Sequence, residues 1–483
     1  MISRTLIAIL LTIVVSLPVS SVAADEAVSR DEVAASARKA VAYFRTQAAS
    51  HGGYLWRYSA DLSRREGEGK ASASTVWVQP PGTPSVGDAY LRAYERTGER
   101  VYLEAARETA AALVQGQLRS GGWDYRIEFD PTRRARYAYR VDEESAGARD
   151  TTTLDDNTTQ AALRFLMRFD KVTRFGDQAV HETVGYALAR LTEAQYPNGA
   201  WPQRFDQPPN PSEHPVKKAS YPESWSRTFP GKNYKAFYTF NDNTIADMIA
   251  TMLDAWEIYD DATYRTAAER GGAFILLAQM PDPQPAWAQQ YDADMHPAWA
   301  RKFEPPAVTG GESQGVMRSL LLLYRHTGNE KYLTPIPKAI DYLRRSALPD
   351  GRLARFYELR TNRPLYFTRA DYALTYSDAD MPTHYSFKST SRLDAIEADF
   401  KQLRQDGPDK RNGPRTLDTP KLTESLTRRA KSVVETMDEK GRWIEDGRLR
   451  YHDKNDPTRH VLSTRTFIQN LDTLTEFLSA TRP

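Results

Sequence analysis

Two acidic triplets, Asp155-Asp156-Asn157 and Asn241-Asp242-Asn243, each stand just ahead of an apolar stretch of helical period. Carboxylates and amide carbonyls are hard oxygen donors, and a cluster of them suits a hard divalent cation such as Ca2+. Neither triplet has the spacing of an EF-hand loop. Taken singly, each also reads as a helix N-cap whose acidic residues favour the helix dipole. Their recurrence at the same place in successive hairpins argues for more, because helix starts on one rim would bring their oxygens together.

Other candidates lie nearby in the chain. Asn198-Gly-Ala-Trp201-Pro-Gln203-Arg204 offers an aromatic face, an amide and a guanidinium, a set that suits an anionic sugar. Pro297-Ala-Trp299-Ala-Arg301-Lys302-Phe303-Glu304 leads through two prolines to Gly310-Gly311-Glu312, a stiff loop carrying charge. Ala354-Arg355-Phe-Tyr357-Glu358-Leu-Arg360-Thr-Asn362-Arg363 continues to Arg369 and Asp371. Arginine forks match carboxylates bidentately, so arginines among aromatics point to an acidic polymer gripped one carboxylate at a time. The histidines form no ligand-spaced pair, and there is no Ser-His-acid order or glycine-rich phosphate loop.

Positioning these groups falls to a repeated helical hairpin. Helices are expected over 85–97 and 101–117, 155–169 and 177–195, 243–259 and 262–279, and 312–326 and 330–347. A weaker pair follows over 388–405 and 420–438, and single helices over 25–50 and 464–480. Tight turns such as Thr97-Gly98 and Thr327-Gly328 alternate with longer, aromatic-bearing loops. Hairpins of this period suit a ring, so the expected fold is a single all-α (α/α) toroid with its elaborated loops on one rim forming a cleft. Strand signal is sparse, with a short hairpin expected within Leu365–Tyr376. The polar stretch 405–419 reads as a surface connection.

With 483 residues the chain can bury a large core without disulfides, and it contains no cysteine. Cysteine nucleophiles and thiolate metal sites are thereby excluded. A net charge of +2 gives no global field suited to nucleic acid. Arg4, the apolar run Thr5–Val15 and Val22-Ala-Ala24 read as a cleavable secretory signal over 1–24, with the single toroid domain over 25–483. The expectation is an exported, periplasmic or secreted monomer with no membrane association after cleavage.

At these clusters the chain resembles the family-ten polysaccharide lyases, bacterial pectate lyases built on an all-α toroid. The resemblance spans about residues 85–375. It is carried by Thr153-Leu-Asp155-Asp156-Asn157 with Arg164, Asn198-Gly-Ala-Trp-Pro-Gln-Arg204, Thr239-Phe-Asn-Asp242-Asn243, Pro297-Ala-Trp-Ala-Arg301 with Glu304, and Ala354-Arg-Phe-Tyr-Glu-Leu359 with Asn362-Arg-Pro364. It implies Ca2+-dependent anti-β-elimination on polygalacturonate. Arg301 is implied as the base, and Asp242 with Asp155 or Asp156 as metal ligands. Arg355, Arg369, Arg363, Trp201, Gln203, Arg204 and Asn243 are implied as substrate contacts. A guanidinium base needs a dry, cation-crowded setting, which Arg355 and Arg369 are expected to supply. Two departures stand out. Thr368-Arg369-Ala370-Asp371 replaces the family's Gly-Arg-Asp-Gly, and the segment between Phe205 and Tyr234 is longer than usual. Two other readings fit the residues: a glycoside hydrolase on a similar toroid using paired aspartates, and a non-catalytic uronan-binding protein.

Overall fold

A computed structural model describes residues 28–231, 234, 237–408 and 420–482. The expected signal sequence and most of the 405–419 connection lie outside the described residues.

Twelve helices of ten residues or more form the frame among the described residues. They are α1 Arg30–Tyr43, α2 Thr83–Thr97, α3 Arg100–Gln115, α4 Thr158–Val172, α5 Gln178–Glu193, α6 Thr244–Tyr259, α7 Ala262–Leu277, α8 Gly311–Thr327, α9 Ile336–Arg345, α10 Leu393–Asp406, α11 Glu424–Glu435 and α12 Thr464–Ala480. Helices α2, α4, α6 and α8 pack side by side, with α12 before α2 and α10 after α8. Helices α3, α5 and α7 back α2, α4 and α6. The result is the all-α toroid of paired helices. The expected hairpins are present, with one change: α11 packs on α12 and α1, so the chain's end closes against its beginning. The N-terminal helix also ends earlier than its apolar period suggested, passing into a π-helical turn over Phe44–Ala48.

The tight-turn rim is made as the sequence indicated. Gly98 and Gly328 cap α2 and α8 in the left-handed conformation, at φ 75° and 70°.

The other rim departs from expectation, because short β-ribbons tie the loops together. Thr152–Thr153 pairs with Arg204–Phe205, Tyr238–Thr239 with Gln290–Tyr291, and Ala307–Thr309 with Phe356–Glu358. Each ribbon joins the segment entering one inner helix to the loop leaving the following outer helix. The hairpin expected within Leu365–Tyr376 is present and extends the last of these into a four-stranded sheet.

One anchoring device recurs. The indole N–H of Trp123, Trp201, Trp287 and Trp443 donates to the carbonyls of Leu113, Leu191, Ile275 and Val433, at 2.8, 2.9, 2.9 and 2.9 Å. Each accepting carbonyl lies in the last turn of a helix, where intrahelical partners run out. Trp123, Trp201 and Trp287 are fully buried. Burial of an indole plus a satisfied helix end fixes where each rim loop departs, and so where the residues after it point.

Candidate cation and substrate site

The two acidic triplets meet on the ribbon-bearing rim. In each, a threonine in the preceding strand folds its hydroxyl onto the chain. Asp155 N–H donates to Thr153 Oγ1 at 3.3 Å, and Asn241 N–H to Thr239 Oγ1 at 3.0 Å. The intervening apolar residue, Leu154 or Phe240, donates its N–H across the ribbon to Gln203 O at 2.8 Å or Gln289 O at 2.7 Å. Each triplet then makes one 3-10 turn whose last two residues are left-handed: φ is 50° and 56° at Asp156 and Asn157, and 49° and 57° at Asp242 and Asn243. Asp and Asn tolerate this region better than other side-chain-bearing residues, though at a cost. Neither Asn157 nor Asn243 caps its helix with its side chain. The N-cap reading therefore does not account for the triplets.

Asp155, Asp156 and Asp242 each offer an oxygen within 4.8 Å of the others. Two oxygens on opposite sides of a Ca2+ ion, each at ~2.4 Å, are about 4.8 Å apart, so the three carboxylates fit that ion. Their surroundings fit it too. Gln290 lines the same cavity with Oε1 buried and unpartnered, its amide nitrogen being spent on Ala298 O. Desolvation, followed by the charge of Asp155, raises Asp156 to about 7 and Asp242 to about 6. Asp155 is supported by donors: Tyr125 OH at 2.7 Å and Gln203 Nε2 at 2.8 Å, with Arg204 3.6 Å away. Gln79 Nε2 donates to Asp156 at 3.0 Å.

Across a cavity of about 50 Å³, lined also by Tyr234, Asn241 and Gln289, stands Arg301. Its Nε and Nη2 donate to the two oxygens of Glu304 at 2.8 and 2.6 Å, and its backbone N–H to the same carboxylate at 3.1 Å. Glu304 is buried and also accepts from Tyr385 OH at 2.7 Å. Hydrogen bonding to Glu304 raises the Arg301 pKa. The cation-crowded setting expected for this arginine is therefore replaced by a buried anion. Arg355 donates to Glu312 and, at 3.1 Å, to Asn241 Oδ1, which puts it beside Asp242. The guanidinium carbons of Arg301 and Arg355 lie 5.4 and 4.3 Å from the Tyr385 ring centre.

The remaining candidates separate. Gln203 and Arg204 join the site through Asp155 and Tyr125, Arg204 also standing over the Tyr125 ring. Asn243 is exposed beside Asp242. Trp201 is not cleft wall: it is fully enclosed in the core, held there by its bond to Leu191. Arg369 is on an exposed turn, 3.7 Å from Asp380, and so does not crowd Arg301. Arg363 is exposed and stacked 3.4 Å over Tyr376. The Leu365–Tyr376 hairpin holds both of these arginines away from the carboxylates.

Tyr125, Gln289, Tyr385 and Gln79 escaped the reading of the sequence. For two of them a signal existed. Tyr125, Gln203 and Gln289 each stand two residues after a core tryptophan, and Arg355 stands two after Leu353 in the same loop of the next hairpin. Tyr385 and Gln79 are brought in from separate segments and carry no such mark.

The architecture and the site define an (α/α) toroid with a cluster of three carboxylates on its loop rim. Residues 126–323 match the family model described as pectic acid lyase. Among solved structures the chain is similar to the Family 10 polysaccharide lyase from Cellvibrio cellulosa, at 21% identity over 66% of this chain and 97% of that one, with a TM-score of 0.44. A mutant of that lyase in complex with trigalacturonic acid matches at 20% identity over 67% and 98%, also with a TM-score of 0.44. Cellobiose 2-epimerase from Bacillus thermoamylovorans matches at 11% identity over 93% and 98%, with a TM-score of 0.45. No curated protein matches the chain. The stretch matched by the pectic acid lyase model contains Asp155, Asp156, Asp242 and Arg301. Among the described residues no helix is long and apolar enough to cross a membrane.

Proposed function

We propose that the protein is a Ca2+-dependent pectate lyase that cleaves polygalacturonate by anti-β-elimination. One observation carries the reading: Asp155, Asp156 and Asp242 converge opposite Arg301 across a small polar cavity, and all four lie inside the matched region 126–323.

In the elimination, a base takes the proton α to the uronate carboxylate. Its electron pair becomes the ring double bond, and the glycosidic oxygen on the neighbouring carbon leaves. When bound, Ca2+ supplies electrostatic stabilisation of the enolate-like charge on the uronate. The three aspartates would hold the ion, with Gln203, Tyr125 and Gln79 keeping Asp155 and Asp156 oriented. Arg301 is the proposed base. Glu304 opposes that role while the two are paired, so proton transfer requires the pair to open when substrate enters. Arg355 would take a neighbouring uronate carboxylate, supported by Glu312 and stacked on Tyr385. Export of the chain through its N-terminal signal belongs to the same reading.

The test is ultraviolet absorbance of unsaturated uronate released from polygalacturonate, with Ca2+ and with chelator. An increase that chelator suppresses is the expected result. No increase with Ca2+ present, saturated products, or full activity in chelator would refute the reading.

A further inference from the structure

A second cavity, of about 700 Å³, opens on the far side of the Arg301 loop. Its walls come mainly from two segments that contribute no carboxylate to the cluster of Asp155, Asp156 and Asp242. The long segment after Phe205 contributes Arg227 and Phe229, and the Leu365–Tyr376 hairpin contributes Tyr372 and Tyr376. Between them stand Trp299 and Lys302, which flank Ala300 and Arg301, both wall residues of the first cavity. The two cavities thus share one loop as a partition.

This second cavity is built rather than incidental. Trp299, Phe303, Phe356 and Phe367 form an apolar cluster of their own, apart from the main core, and Trp225, Phe229 and Tyr372 pack on it. Trp299 Nε1 donates to Ser226 O at 2.9 Å, fastening the long segment to the partition loop. Arg227 pairs with the buried Glu358, which also accepts from Tyr376 OH at 3.0 Å, so the segment and the hairpin are clamped on one carboxylate.

The charges leave one cation unspent. Arg227 is matched by Glu358. Asp371, the acidic wall residue, is turned into its own hairpin turn, accepting from the Thr368 hydroxyl and from Ala373 N–H at 3.2 Å. Lys302 has no carboxylate partner among the described residues, and its Nζ lies 3.7 Å over the Tyr372 ring. Aromatic faces beside an unpaired ammonium suit a sugar ring bearing a carboxylate: the ring C–H surface meets the aromatic wall and the carboxylate meets the cation.

We propose that this cavity is an additional uronate-binding subsite, in which Lys302 takes the carboxylate of a sugar unit beyond those bound at the Arg301 cavity and Phe229 packs on its ring. The inference rests on the acidic-polysaccharide reading above and adds to it a preference for longer chains.

The test compares kcat/KM on galacturonate trimer and hexamer, with Ca2+ present, for wild type, Lys302→Ala and Phe229→Ala. Wild type is expected to favour the hexamer, and each substitution to cut the hexamer-to-trimer ratio about tenfold, the effect of one lost charged or stacking contact. Lys302→Arg is expected to keep most of the preference, a rescue that a folding defect would not show. An unchanged ratio in both alanine variants would overturn the subsite and leave the lyase reading standing. Equal losses on trimer and hexamer would do the same. Absence of unsaturated product from either oligomer with wild type overturns the lyase reading, and the subsite with it.

Discussion

Asp156 and Asp242 occupy equivalent places in consecutive hairpins, each the middle residue of a one-turn 3-10 helix, with φ at 50° and 49°. The shared backbone aims two carboxylates from neighbouring inner helices at one point. Desolvation and then the charge of Asp155 raise both, so without a cation the arrangement works against folding.

Asp156→Asn separates ion binding from backbone effects, because Asn tolerates the same left-handed φ. In chelator at pH 8 the variant should be more stable than wild type by about 1 kcal/mol, the repulsion being gone and the figure discounted for partial exposure. Its Ca2+ affinity should fall at least about tenfold, ~1.4 kcal/mol. Thermal unfolding with and without Ca2+ measures both. Equal stabilisation of wild type and variant by Ca2+ would remove Asp156 from the ligand set.

The same shifts set a pH window. An ordinary aspartate titrates near 3.8, and here Asp156 is raised to about 7 and Asp242 to about 6. The folded state therefore binds more protons than the unfolded state between those limits, and in chelator stability from these groups is lost as pH rises through them. Ca2+ takes the ionised form, so its affinity should climb at least about tenfold from pH 5 to pH 7 and level off above. Calorimetric titration across that range checks the sign. An affinity independent of pH would show that these two carboxylates do not hold the ion.

Glu304 sets the third expectation. Its two oxygens hold Arg301 charged. If Arg301 is the base, Glu304→Gln should ease its deprotonation and move the ascending limb of kcat/KM to lower pH by about one unit, ~1.4 kcal/mol. A fall in kcat with the limb unmoved would instead make Glu304 a positioning residue and Arg301 a fixed cation. The pH profiles of wild type and variant distinguish the two.

Much of this was legible in the chain. Helical period and the turns at Gly98 and Gly328 marked the hairpins, because a glycine in the left-handed region ends a helix for local reasons. The triplets marked where the three carboxylates converge, because their residue types recur at one place in the repeat. The ribbons were hidden: two- and three-residue strands such as Thr152–Thr153 have no period to read, and their partners lie about fifty residues away. Arg301's partner was visible three residues on, but only the fold turns Glu304 toward it and buries it. Arg369 looked equivalent to Arg355 by type and spacing, yet the hairpin between them carries it out to Asp380.

Trp201 is the sharpest case of residue type misleading. As a platform for sugar it would tolerate Phe poorly in binding and well in stability. As a core anchor it should do the reverse. Trp201→Phe keeps an aromatic ring but leaves the Leu191 carbonyl without its 2.9 Å donor, at a cost of about 1 kcal/mol plus the lost volume. Trp201→Ala should cost about 3–5 kcal/mol, since the side chain is wholly buried and Gly271 leaves its ring closely fitted, with a Cβ there falling 2.8 Å from it. For the Phe variant kcat/KM should stay within about twofold of wild type, ~0.4 kcal/mol. Thermal unfolding alongside kinetics on polygalacturonate decides it. A Phe variant of full stability with a KM raised severalfold would return Trp201 to the cleft.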